Sequence, residues 1–390
     1  MAANNNSLQP RTAIERMDPY RPPSSDRGGK LRLDFNENTV GCSPRVRQAL
    51  RSMPSDALAI YPEYQHALPR FAAYFGVTPG QLTLTNGTDE AIQLVVNTYV
   101  NAGDAVLLAR PAYAMYRFYA QVAGARIVEV PYPADLSFPA RGLLRKINSR
   151  VRAIFIANPN NPTGTSASPA QIKSLLRAAP RAAVVVDEAY FEFSGQTVLP
   201  WLAEYPNLFV SRTFSKAVGL AAVRLGCLFS RAVNIQAVRK GQSPYSVNGV
   251  AVALGLAAIR HPGYFRKYAA EVVRARALLC RELDSLGWRY FPSDANFVLV
   301  DFGSAAADMR QKLGERQILV RDRSYELPGC VRITVGTVRQ TKKLIRALRA
   351  ASETAGHGVS HADPARRIRR PQPLRDVIRN GSFRLRTQEK

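Results

Sequence analysis

"VRAIFIANPNNPTGTSASPAQIKSLLRAAPRAAVVVDEAY", Val151 to Tyr190, decides the fold. It opens on a short apolar run rich in β-branched and aromatic residues. Asn, Pro and Gly then break the pattern. A helical stretch follows over Pro169–Ala178, and a second, more apolar run, "AAVVVDEAY", closes the unit. Runs this apolar read as strands buried on both faces. A strand, a helix and a second such strand argue for neighbouring parallel strands.

The same pattern extends outward. "AVLLA" (Ala105–Ala109), "ARIVEVPY" and "NLFVSRTF" are further strand candidates, and Glu90–Val100 reads as a helix. The expected fold class is therefore α/β, a mostly parallel sheet covered by helices. From about residue 262 the pattern changes. A long charged helix over roughly Tyr264–Leu286 leads into "NFVLVDF", a helix near Ala305–Leu313, "ILVRD", "VRITVG" and a last helix to about Ser352. This predicts a smaller α+β domain, completed by the N-terminal segment "LRLDFNENTVGCSP". The expected division is an N-terminal arm over 1–30, the small domain from 31–50 with 262–352, the large domain over 51–261, and a basic, disordered tail over 353–390.

Composition narrows the function classes. The chain has 390 residues, 46% of them hydrophobic, and a mean hydropathy of −0.17, as expected of a globular protein with a sizeable core. No apolar run reaches the ~18 residues of a membrane span, and the N-terminus lacks a secretory apolar region, so a cytoplasmic protein is expected. The four cysteines and four histidines are scattered without metal-ligand or redox spacing, which argues against a metal site. The net charge of +25 suits anionic partners: nucleic acid, membrane surface or small anionic substrates. Part of that excess lies in the tail, where "PARRIRRPQPLRDVIRNGSFRLRTQEK" shows little helical periodicity. It reads as a solvated basic segment rather than a nucleic-acid site.

Four segments fall where strands are expected to end, the place at which open α/β sheets bind ligands. In "TNGTDEAIQLV", Asn86-Gly87 turns the chain and Thr88-Asp89-Glu90 opens a helix, whose free N–H groups can hold an anion. In "ANPNNPTGT", the prolines and Gly164 fix a loop from which Asn161 can point inward. "VVVDEAYFEF" ends a buried strand on Asp187, a carboxylate that needs a partner, with Tyr190 three residues on. In "SRTFSKAVGLAAVRLG", Thr213 and Ser215 flank Lys216, and Arg224 can grip a phosphate.

Together these segments resemble the fold-type I pyridoxal-phosphate aminotransferases, and within them the histidinol-phosphate aminotransferase family. The likeness covers about residues 31–350 and includes "NEN", "YPEY", "RPAYAMY", "PYSVN", "ANFVLVDF" and "VRITVGT". It implies a pyridoxal 5'-phosphate cofactor whose aldehyde is bonded by Lys216. The freed Lys216 amine then moves a proton between the substrate carbon and the cofactor. Asp187 would pair with the pyridinium nitrogen, Tyr190 and Asn161 would hydrogen-bond the ring oxygen, and Tyr113 would stack on the ring. Thr88, Asp89, Thr213, Ser215 and Arg224 would line the cofactor site, most of them near its phosphate. Tyr61 would reach that phosphate from a second subunit, which implies a homodimer. Arg332, Arg321 and Asn38 would hold the anionic amino donor and 2-oxoglutarate.

The implied reaction converts L-histidinol phosphate and 2-oxoglutarate to imidazole-acetol phosphate and glutamate, a step of histidine biosynthesis. Aromatic amino-acid transamination and decarboxylation of a phosphorylated amino acid are alternatives on the same scaffold, and a DNA-binding regulator is a remote one. The chain departs from the family at Thr39-Val40, where proline and an aromatic residue are usual, and at Tyr64, where proline is common.

Overall fold

The computed structural model describes residues 8–19 and 26–354. The strands, in chain order, are β1 Leu31–Leu33, β2 Leu82–Thr85, β3 Ala105–Arg110, β4 Arg126–Pro131, β5 Val151–Ala157, β6 Ala183–Asp187, β7 Leu208–Thr213, β8 Gly226–Phe229, β9 Arg289–Phe291, β10 Phe297–Asp301, β11 Ile318–Asp322 and β12 Cys330–Thr334. They form a seven-stranded sheet ordered β2-β8-β7-β6-β5-β3-β4 and a five-stranded sheet ordered β1-β11-β12-β10-β9.

The large sheet is parallel from β7 across to β4, and β8 runs antiparallel to both its neighbours. Its centre follows from the apolar runs. Successive side chains on a strand point to opposite faces. Accordingly Ile154, Ile156, Val184, Val186 and Val210 pack into one core beside Leu175 and Leu176 of the Pro169–Ala178 helix. Phe155, Val185 and Phe209 pack on the other face with Ile92 and Val95 of the Gly87–Tyr99 helix. A polar residue at any of these positions would be buried without a partner. The helix at Pro169–Ala178 starts as its sequence demands: Ser168 accepts from the Gln171 amide, the Gln171 side chain returns the bond, and Pro169 opens the first turn.

β2 and β8 are the strands of the large sheet that sequence reading omits. "LTLT" and "GCLF" are four residues each and lack a long β-branched run. They are strands because they pair with one another and with β7, a tertiary cause.

The small sheet draws on both ends of the chain. β1 pairs parallel with β11, Leu31 opposite Ile318, so the N-terminal segment completes it. The long helix, Gly263–Ser285, lies against the last helix, Val338–Thr354, over a core that includes Phe297, Val300, Met309 and Leu348. The helix Pro44–Arg51 behaves differently. It packs on the Gly249–Arg260 helix and places Val46 in the core of the large sheet. The basic tail expected from residue 353 lies outside the described residues, apart from Glu353 and Thr354 at the end of the last helix. Among the described residues no helix is long and apolar enough to cross a membrane.

Candidate active site

The carboxyl ends of β5, β6 and β7 open on one cavity of about 350 Å³. It collects most of the residues singled out above: Thr88, Asp89, Tyr113, Asn161, Asp187, Tyr190, Thr213, Ser215, Lys216, Arg224, Arg321 and Arg332 all line it.

Asp187 ends β6 and is buried. Its Oδ2 accepts from the Tyr116 hydroxyl at 2.7 Å and its Oδ1 from the Ser211 hydroxyl at 2.9 Å. Burial pushes its pKa up, and those two hydroxyls pull it back. No ion pair of the described residues includes it. A buried carboxylate that makes no such ion pair and faces a cavity can take a cationic ligand. Tyr116 and Ser211 are functional residues that sequence reading missed. Ser211 was within reach of it: it sits opposite Asp187 in the β6–β7 register and shares a face with Thr213.

Lys216 follows β7 in a tight segment. The Gly219 amide donates to the Lys216 carbonyl, and that of Leu220 to Phe214. Gly219 has φ of +80°, and a side chain there would strike the Gly41 backbone at 2.8 Å. The segment can therefore abut the N-terminal loop only as glycine. The Lys216 side chain is half-buried, and its amine donates to the Phe35 carbonyl at 3.1 Å. Burial first, then the nearby Arg332 charge, bring its pKa down to about 8. An ordinary lysine is almost wholly protonated near neutrality. This one is a free amine in roughly a tenth of molecules at pH 7.

The far end of the cavity is an anion cradle. The Gly87–Tyr99 helix points its first N–H groups there. Gly87 has φ of +72°, and a Cβ on it would meet the Arg224 guanidinium at 2.5 Å. Only glycine lets that guanidinium lie over the helix start. Arg224 is itself left-handed, with φ of 58°, a conformation costing of order 1 kcal/mol that clusters at functional sites. It pairs with Asp89 at 3.1 Å, and Asp89 also accepts from Tyr113 at 2.8 Å. Thr213 Oγ1 accepts from the Ser215 amide at 3.0 Å, which fixes the Thr213 hydroxyl at the cavity wall.

The opposite end is cationic. Arg321 on β11 and Arg332 on β12 stand directly opposite one another in register. Arg332 is buried, donates to Asn161 Oδ1 and to the Asp34 carbonyl, and has its pKa brought down to about 10, by burial first. Tyr190 accepts from Asn36 at 3.0 Å.

Two predicted residues stand elsewhere. Asn38 does not line the cavity: it donates to the Ala217 carbonyl at 2.8 Å and accepts from the Val40 and Gly41 amides. It thereby ties the N-terminal loop to the Lys216 segment. Its neighbours Phe35, Asn36 and Glu37 line the cavity instead. Tyr61 is 72% exposed, stacked on Tyr245 with ring centroids 4.4 Å apart, and does not line its own chain's cavity.

Residues 29–348 match the family of class I and II aminotransferases. The chain belongs to that family. This aminotransferase is 35% identical to the histidinol-phosphate aminotransferase of Geobacillus sp. (strain WCH70), over 87% of this chain and 97% of the relative. It is 37% identical to that of Symbiobacterium thermophilum, over 87% and 98%. Its fold superposes with a TM-score of 0.79 on the Sinorhizobium meliloti histidinol-phosphate aminotransferase in complex with pyridoxal-5'-phosphate, at 25% identity over 91% of this chain and 99% of that one. The fold class and the cofactor expected from the sequence are thus established.

The residues present fit pyridoxal phosphate end to end. Asp187 would hold the ring nitrogen, the Lys216 amine of lowered pKa would bond the aldehyde, and the helix start with Arg224 would hold the phosphate. When bound, the cofactor supplies an aldehyde that bonds amines and a protonated ring that withdraws electrons from the substrate carbon.

Proposed function

We propose that this aminotransferase takes its amino group from L-histidinol phosphate and passes it to 2-oxoglutarate, as a homodimer. The observation that carries the donor is the placement of Arg321 opposite Arg332, both lining the cavity. Like charges opposed across a strand pair repel, and here they face a cavity, so an anion is the natural occupant. A phosphate monoester brings about two charges and several acceptor oxygens, and guanidinium groups hold it in bidentate fashion. The same two arginines hold the carboxylates of the acceptor. Its curated relatives carry the same activity in their names.

Each residue then has a task. Asp187 keeps the ring nitrogen protonated. The free amine of Lys216 takes the proton from the donor carbon that bears the amino group. Tyr190 and Asn161 present polar groups to the ring edge, and Tyr113 covers its face. Tyr61, exposed on its own chain, reaches the neighbouring subunit's site.

The test is a donor panel with 2-oxoglutarate. Histidinol phosphate should exceed histidinol by orders of magnitude in kcat/KM, and Arg321→Ala should weaken it far more than an unphosphorylated aromatic amino acid. Equal use of phenylalanine and equal loss on both donors would overturn the donor assignment and leave the general aminotransferase reading.

A further inference from the structure

The arginines of the substrate-anion site do not stop at two. Arg323 also lines it, as does Tyr325. Arg321 and Arg323 lie two apart on an extended segment, so both project to the face that Arg332 occupies across the pair. The Arg323 backbone is fixed, its amide donating to the Cys330 carbonyl at 3.0 Å. Its side chain is largely buried. One end of the guanidinium pairs with Glu326, three residues on, and the group lies 5.1 Å from the Tyr325 ring centre. Its Nε–H is buried and has no hydrogen-bond partner, and the same is true of Arg332 Nε. Two arginines that line one cavity thus each carry a buried Nε–H without an acceptor. A buried charged donor left unpaired is costly.

We propose that Arg323 is a third guanidinium of the substrate-anion site, held on Glu326 and moved onto the phosphate of the amino donor. This rests on the phosphorylated-donor reading above. The Glu326 partner gives the site its discrimination. Exchanging the Glu326 carboxylate for a substrate carboxylate gains no charge. Exchanging it for a phosphate dianion gains about one further charge and further acceptor oxygens. Glu326 therefore sets a threshold that a phosphate crosses and the acceptor's carboxylates do not. Specificity here is a difference between two affinities, set by a competing internal anion. The turn geometry permits the exchange: Glu326 and Leu327 amides both donate to the Arg323 carbonyl, so the backbone stays put while the side chain moves.

The experiment uses holoenzyme and two small probes, inorganic phosphate and succinate, each as an inhibitor of the half-reaction with glutamate. Arg323→Gln should raise the inhibition constant of phosphate roughly tenfold to a hundredfold, with a smaller change for succinate. Glu326→Gln should lower the constant for both and so narrow the ratio between them. In the double variant the Glu326→Gln gain should vanish, because there is no longer an arginine to release. An unchanged phosphate constant in Arg323→Gln with the bound cofactor's absorbance intact overturns the proposal, and so does a Glu326→Gln gain that survives in the double variant. If Arg323→Gln does not fold, the ratio in Glu326→Gln decides alone: an unchanged ratio overturns it. No probe is histidinol phosphate. An enzyme that rejects histidinol phosphate yet shows Arg323-dependent phosphate inhibition would sink the donor assignment and leave this site standing.

Discussion

Tyr116→Phe is the sharpest test of how the fold tunes Asp187. Tyr116 is fully buried, stacked on Phe155 at 5.1 Å and edge-on to Tyr113 at 5.7 Å. Phenylalanine keeps every one of those ring contacts and removes only the hydroxyl that donates to Asp187 at 2.7 Å. Two side-chain hydroxyls oppose the burial that pushes the Asp187 pKa up. Losing one leaves the anion worse stabilised and moves that pKa further up. A hydrogen bond to a charged acceptor contributes about 1.5–3 kcal/mol. The anion's hold on the ring nitrogen weakens by a share of that, so the glutamate half-reaction should slow by roughly tenfold, with a hundredfold as the ceiling. Stopped-flow absorbance of the bound cofactor reads the rate, and a pH titration of the same band reads the ring nitrogen. Ser211→Ala should act in the same direction, and the two together should not exceed the loss in Asp187→Asn. A Tyr116→Phe rate within twofold of wild type, with cofactor bound, would refute the reasoning.

Three other outcomes follow from the same geometry. Asp187→Asn should cut kcat/KM about a hundredfold or more, roughly 3 kcal/mol, yet raise the melting temperature of cofactor-free protein as the pH rises above the unfolded carboxylate's pKa. A raised carboxylate pKa means the native state resists the charge, so that cost is absent below the unfolded pKa and present above the folded one. Lys216→Met should abolish turnover and prevent borohydride from fixing the cofactor to the chain. It should also stabilise the cofactor-free protein at pH 7 by up to about 3 kcal/mol, because a pKa lowered from 10.5 to about 8 makes the native state pay for the charge below pH 8 and recover as pH rises toward 10.5; calorimetry reads it. Mixing inactive Lys216→Ala with weakened Tyr61→Phe should restore activity through one unmutated composite site, and no recovery, or an active monomer by light scattering, would count against a shared site.

Much of the site was legible because its residues sit at strand ends, and strand ends are legible wherever an apolar run stops. Asp187 closes "VVVD", and Thr213, Ser215 and Lys216 follow "LFVSR". What such reading cannot supply is pairing. Tyr116 reaches Asp187 across 71 positions of sequence and Ser211 across 24. Only the order of β7, β6, β5 and β3 brings them together. The edge pair β2–β8 was hidden for the same cause. Position 226 takes glycine because a Cβ there would meet the Gly87 backbone at 2.7 Å, a contact absent from any local pattern.

The N-terminal loop shows why residue type alone misassigns a role. In "NEN" both asparagines offer the same amide, and an extended chain would turn Asn36 and Asn38 to the same side. The chain is not extended there: Asn36 is left-handed, with φ of 57°. That conformation suits asparagine better than most residues. It is fixed by four contacts: the Asn36 amide donates to Thr334 at 3.0 Å, its side-chain oxygen accepts from Thr334 at 2.9 Å, its side-chain nitrogen donates to Tyr190 at 3.0 Å, and its carbonyl accepts from Asn296 at 3.1 Å. The turn breaks the alternation, so Phe35, Asn36 and Glu37 reach the cavity together while Asn38 turns to the Lys216 segment. The strain at Asn36 is therefore what lets one loop both line the site with Asn36 and brace Lys216 with Asn38. Replacing Asn36 by alanine would release the turn and disturb both, whereas the same change at Asn38 would loosen only the brace.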